Sequence, residues 1–175
     1  MLKNERSIIL YFASDHAGYE LRLKLVSDLK QIQKQSDDLP QPQVAANHHI
    51  NFEQLIDLGT HNSTPCDYPD YANLLAQHMK QNSNNLDSNR KIFGVLLCGS
   101  GIGISIAANR HKHLRAALCN SVEYARLARA HNDANVLVLG SRFVGKKDAV
   151  AMIKTFITTD FEQGRHGSRV AKLSQ

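Results

Sequence analysis

From Ile92 to Arg110 the chain reads IFGVLLCGSGIGISIAANR. The apolar run Ile92 to Leu97 predicts a short buried strand, and Ile104 to Asn109 a small-residue helix. Between them Cys98 enters a turn with Gly99, Gly101 and Gly103, residues that allow φ > 0 and close approach of backbone to a ligand. A strand, a glycine turn and a helix in this order place N–H groups around a concave anion site. Cys98 stands at its mouth, where positive potential favours thiolate over thiol. A base beside an anion cradle suits removal of a proton next to a carbonyl and stabilisation of the enediolate that results.

Two better-known glycine motifs do not fit. A dinucleotide GxGxxG needs a small residue at 104 and finds Ile104; the next strand, Leu114 to Cys119, runs into Asn120 rather than Asp or Glu. A P-loop fails for want of Gly-Lys-Ser/Thr. A plainer alternative is that the glycines only let the helix pack closely and Cys98 is a small buried hydrophobe. Ser100 adds a hydroxyl, which is ordinary in a turn.

With 175 residues the chain is long enough for one domain (1–175) with a substantial core. Basic residues are dispersed and the net charge is only +5, so an anionic small molecule explains local arginines as well as nucleic acid does, and no nucleic-acid partner is expected. Cys66, Cys98 and Cys119 are odd in number and form no CxxC pair, which predicts free thiols in a reducing, cytoplasmic setting. The run Ile8–Ala13 is too short for a signal-peptide core. No stretch approaches a membrane span.

Strand and helix alternate along the chain. Strands are expected at Ser7–Ala13, Gln54–Leu58, Ile92–Leu97, Leu114–Leu118 and Asn135–Leu139. Helices are expected at Gly18 to Lys34, with Leu21, Leu25 and Leu29 four apart, at Pro69 to Met79, after Gly103, at Val122–Ala130 and at Lys146–Ile157. Residues 35–49 and 81–90 read as polar loops, and 158–175 as a polar tail. This alternation predicts an open, mostly parallel five-stranded α/β sheet with helices on both faces, whose ligands sit beyond the strands' carboxyl ends. Asp15-His16, Asp67-Tyr68, Cys98–Gly103 and Ser141-Arg142 all fall at such ends. His131-Asn132 lies at the far end of a helix, so its membership of the same cleft is a weaker expectation. Each cluster has a structural alternative: Asp15 as a helix cap, His131-Asn132 as a helix C-terminus, Arg165 and Arg169 as a solvated face.

Taken in order, Asp15-His16-Ala17-Gly18, Asp67-Tyr68-Pro69, Cys98 to Gly103 with Ala107-Ala108-Asn109, His131-Asn132-Asp133, Gly140-Ser141-Arg142 and Arg165-His166 to Arg169 resemble the type B ribose-5-phosphate isomerases, the family that also holds the galactose-6-phosphate isomerase subunits. The resemblance covers nearly the whole chain. It implies a Rossmann-like doubly wound fold and interconversion of D-ribose 5-phosphate and D-ribulose 5-phosphate, a step of the pentose phosphate pathway, without metal or other cofactor.

On that resemblance Cys98 is the base that shuttles a proton between C1 and C2; the position where other members carry a carboxylate holds Ile104. Backbone N–H groups of Gly99, Gly101 and Gly103 would hold the oxyanion, and Ser100 would bond a sugar oxygen. His131 would open the furanose, with Asn132 and Asp15 steering hydroxyls. Tyr68 would line the sugar pocket, and His16, Arg142, Arg165 and Arg169 would hold the phosphate. The resemblance further implies a homodimer, or a tetramer built from it, with each site shared between subunits and the C-terminal tail contributing. A six-carbon sugar phosphate, allose or galactose 6-phosphate, is the alternative substrate, and a non-catalytic sugar-phosphate sensor the alternative function.

Overall fold

Valine, isoleucine, leucine and phenylalanine in unbroken short runs are the composition of strands buried on both faces. They mark β1 (Ser7–Ser14), β3 (Arg90–Cys98) and β5 (Val136–Gly140), while the edge strands β2 (Phe52–Asp57) and β4 (Ala116–Leu118) are more exposed, in a computed structural model that describes residues 7–37, 50–83 and 89–173. The strands form one sheet in the order β2-β1-β3-β5-β4, parallel at every pairing. The helices are α1 (Tyr19–Asp37), α2 (Tyr68–Ser83), α3 (Ile102–Ala108), α4 (Val122–Asn132), α5 (Lys146–Thr158) and α6 (Arg165–Leu173). Successive strand residues point to opposite faces. Ile8, Leu10 and Phe12 of β1 accordingly join Leu25, Leu29, Ala125, Ile153 and Phe156 in one core. Ile9, Tyr11 and Ala13 join Ala72, Leu75, Met79 and Ile104 in the other. Helices α1, α4 and α5 thus cover one face, and α2 and α3 the other.

The expected α/β architecture is present, with some boundaries moved. Helix α1 continues through Asp37 and α2 through Ser83, while β3 begins at Arg90; the remainder of the two expected polar loops, 38–49 and 84–88, lies outside the described residues. Strand β4 is only three residues long, because Leu114 still belongs to a turn closed by its N–H on the His111 carbonyl. The larger correction concerns the tail, which contains helix α6 with His166 buried. At the carboxyl ends of β1 and β2, Arg22 is 1% exposed and pairs with Asp57, the Thr60 carbonyl and the Ser14 hydroxyl. Gly59 leaves room for it, since a Cβ there would press on the guanidinium.

Candidate active site

Chain direction reverses about β1: the α1 crossover leads to β2 on one side, whereas β3 pairs on the other. Ligands of open α/β sheets bind at such a switch point, beyond the carboxyl ends. There the Asp15 N–H donates to the Leu97 carbonyl, and Gly18 packs so closely that a Cβ would lie 2.8 Å from Leu97 and Ser14. Asp15 is buried, and its Oδ1 accepts the Gly18 N–H at 3.1 Å, so this carboxylate does cap the turn into α1. His16 Nδ1 accepts the Cys66 N–H at 3.1 Å and thereby ties that turn to the segment entering α2.

Cys98 ends β3 and is 4% exposed. Its Sγ accepts the Gly101 N–H at 3.1 Å, which aims the positive end of a peptide dipole at sulfur. Gly101 has φ 79°, a left-handed conformation natural to glycine, and a Cβ there would also meet Leu118. The following segment locks the turn. The Ser141 N–H and Oγ–H both donate to the Cys98 carbonyl, Ser141 Oγ also reaches Ala17, and the Arg142 N–H donates to Gly99. The Arg142 guanidinium lies against Gly99, and the Tyr68 ring against Gly103, in each case where a side chain would otherwise be. Ser100 Oγ accepts the Ile102 N–H at 3.3 Å. Asp15, His16, Tyr68, Cys98, Ser100 and Arg142 therefore converge at one end of the sheet.

His131, Asn132, Arg165 and Arg169 do not join them within the chain. Helix α4 runs back from the carboxyl end, so His131-Asn132 lies where the chain turns into β5, at the sheet's amino end; a strand of this length separates the two ends by about 16 Å. Here α6 docks: the His131 and His166 rings stack at 4.2 Å with an interplanar angle of 3°. His131, Asn132, His166, Arg169, Val170 and Leu173 line a cavity of about 310 Å³. His131 Nε2 lies 3.5 Å from Glu162 Oε2. Among the described residues, His131, Glu162 and His166 are a group whose donor atoms could hold a metal ion. A larger cavity of about 620 Å³ at the same end contains neither Cys98 nor His131.

Residues 10–173 match the profile of the Ribose/Galactose Isomerase family. The chain belongs to that family. Ribose-5-phosphate isomerase B of Escherichia coli is 34% identical over 163 residues, covering 93% of this chain and 92% of that protein. Among solved structures, ribose-5-phosphate isomerase B of Clostridium thermocellum superposes with a TM-score of 0.76 at 36% identity, covering 95% of both chains. The Mycoplasma genitalium ribose-5-phosphate isomerase B, solved with bound ribulose-5-phosphate, gives a TM-score of 0.76 at 36% identity over 95% of this chain and 94% of that one.

Glu162 and His166 beside His131, and Ser141 as the clamp on the Cys98 turn, emerge only from the packed chain. The sequence does carry a signal for His166: with Val170 and Leu173 it follows i, i+4, i+7 spacing, one face of a helix. Cys66, Cys98 and Cys119 are all free thiols. Burial pushes the Cys119 thiol up to about 12, which removes it from acid–base work. No helix among the described residues is long and apolar enough to cross a membrane.

Proposed function

We propose that this chain is a ribose-5-phosphate isomerase with Cys98 as its base. The sulfur takes the proton from C2 of the open-chain aldose and returns it to C1, while a hydroxyl proton passes from O2's side of the enediolate to O1's as the carbonyl moves to C2. Backbone N–H groups of the Gly99–Gly103 turn stabilise the enediolate oxygen, and Ser100 bonds a sugar oxygen. His131 protonates the ring oxygen to open the furanose, and Asn132 and Asp15 orient hydroxyls. His16, Arg142, Arg165 and Arg169 bind the phosphate, and Tyr68 lines the pocket. No step uses a cofactor. The observation that carries this reading is the Cys98 sulfur at the switch point, receiving the Gly101 N–H at 3.1 Å beside Arg142.

The two groups of residues lie at opposite ends of the sheet, which supports a site completed by a second copy of the chain. Exposed apolar residues favour this too: Ile102, Ile106, Leu118 and Phe143 are 56%, 56%, 40% and 76% exposed, and they surround the Cys98 turn. A patch of this kind marks an association surface, and a two-fold dimer gives each site residues from both chains. The test is a coupled assay of purified protein on ribose 5-phosphate, allose 6-phosphate and galactose 6-phosphate, with and without EDTA. Turnover of ribose 5-phosphate in both conditions is expected. Preference for a six-carbon phosphate would replace the substrate, and no turnover of any sugar would overturn the enzymatic reading.

A further inference from the structure

Two imidazoles and a carboxylate meet at the amino end of the sheet for reasons visible in the backbone. Glu162 is anchored beside α4 by its N–H on the Ala130 carbonyl at 2.9 Å. Gln163 and Gly164 then take φ 59° and 52°, and this left-handed pair turns the chain so that His166 stacks on His131. The donor atoms of His131, Glu162 and His166 all lie within 4.8 Å of one another. His166 Nε2 accepts the Arg165 Nε–H at 3.4 Å, a long contact that a metal on that nitrogen would displace. Two histidine nitrogens and one carboxylate, with a position left open, are a donor set suited to zinc and similar borderline transition metals.

We propose that His131, Glu162 and His166 form a reversible zinc site whose occupation silences the isomerase. Zinc bound at about 2.0–2.2 Å holds its donors about 3.3–3.5 Å apart in a tetrahedron, so the group must draw inward and the rings must leave their parallel stack. Half-exposed His131 and exposed Glu162 are free to do so, with buried His166 as the fixed point. Arg165 and Arg169 oppose a dication, and Glu162 supplies the compensating charge. Metal on the imidazole nitrogen of His131 removes the lone pair needed for proton transfer, so ring opening stops. This consequence rests on the assigned role of His131; metal binding itself does not.

The experiment titrates chelator-stripped full-length protein with zinc against a chromogenic chelator and measures ribose 5-phosphate turnover in parallel. One zinc per chain is expected, with affinity weakened about tenfold or more in Glu162→Gln and in His166→Ala. Glu162 is exposed, so the first variant tests the site even if the second fails to fold. Cys66 is the rival ligand, its Sγ 3.9 Å from His16 Nδ1, and Cys66→Ser should leave binding intact. Cobalt in place of zinc should show no thiolate charge-transfer band. Zinc should suppress parent turnover and EDTA restore it, while Glu162→Gln keeps nearly its EDTA-treated rate under the same zinc. Absence of stoichiometric binding, or binding lost in Cys66→Ser and kept in Glu162→Gln, would overturn the site. Binding without inhibition would overturn the silencing, whereas an EDTA-treated parent without turnover would instead sink the proposed isomerase activity.

Discussion

The two ends of this sheet are built by different means. At the carboxyl end the backbone does most of the work: peptide N–H groups, carbonyls and glycines packed too closely for a Cβ form the Cys98 turn, and Ser141 and Arg142 clamp it. At the amino end the arrangement is one of side chains, with His131, His166 and Glu162 brought together by the docking of one helix on another. Backbone geometry is set by strand pairing and is stiff, whereas α6 is docked chiefly on α4, and an element with few neighbours opens more readily. On the proposed mechanism, the stiff end carries the proton abstraction and the other end the groups that orient substrate.

The sharpest way to break the comparison is to remove the proposed base. Cys98→Ser should bind sugar phosphate yet lose about 10²–10⁴-fold in kcat, the usual worth of positioned proton transfer. Cys119→Ser should stay near parental, because that thiol is buried and pushed up to about 12. Parental kcat in Cys98→Ser would place the base elsewhere. Joining the two ends across a dimer makes the next prediction. Cys98→Ser and His131→Ala chains, unfolded and refolded together, pair at random, and roughly a quarter of all sites should recover turnover. No recovery despite heterodimers seen by native mass spectrometry would return both residues to one chain's site.

The amino end alone is tested by Arg169→Ala, which should raise KM for ribose 5-phosphate by about 10–100-fold, the equivalent of about 1.5–3 kcal/mol for a charge-assisted contact. Inorganic phosphate should compete with substrate in the parent. An unchanged KM would make Arg169 a solvated side chain. The smallest effect concerns pH. His166 has its pKa lowered by burial and then by His131, Arg165 and Arg169, with Glu162 pulling the other way. The unfolded chain therefore binds this proton at a higher pH than the folded one. Stability is complete above about pH 6.5 and declines as pH falls below it. Amide exchange in α6, corrected for intrinsic rates, should quicken between pH 7.5 and 5.5 in the parent and change less in His166→Phe. Equal protection at both pH values in the parent would remove His166 from the linkage.

Much of the fold was legible because its signals are local. Runs such as Ile8–Ala13 and Val136–Leu139 read as buried strands, Leu21, Leu25 and Leu29 as a helix face, and Cys98 among Gly99, Gly101 and Gly103 as a strand-to-helix turn. Each depends on residues a few positions apart, so the order of amino acids determined them by itself. Tertiary structure decided the rest. It made Asp15 a cap on Gly18, brought Ser141 onto the Cys98 carbonyl from more than forty residues away, and folded the tail into a helix whose buried His166 stacks on His131 of α4. It also set the Cys98 turn and His131 at opposite ends of the sheet. Both are polar clusters beside regular elements in the sequence, and what separates them is the direction in which α4 returns along β5, a property of the packed chain rather than of either motif.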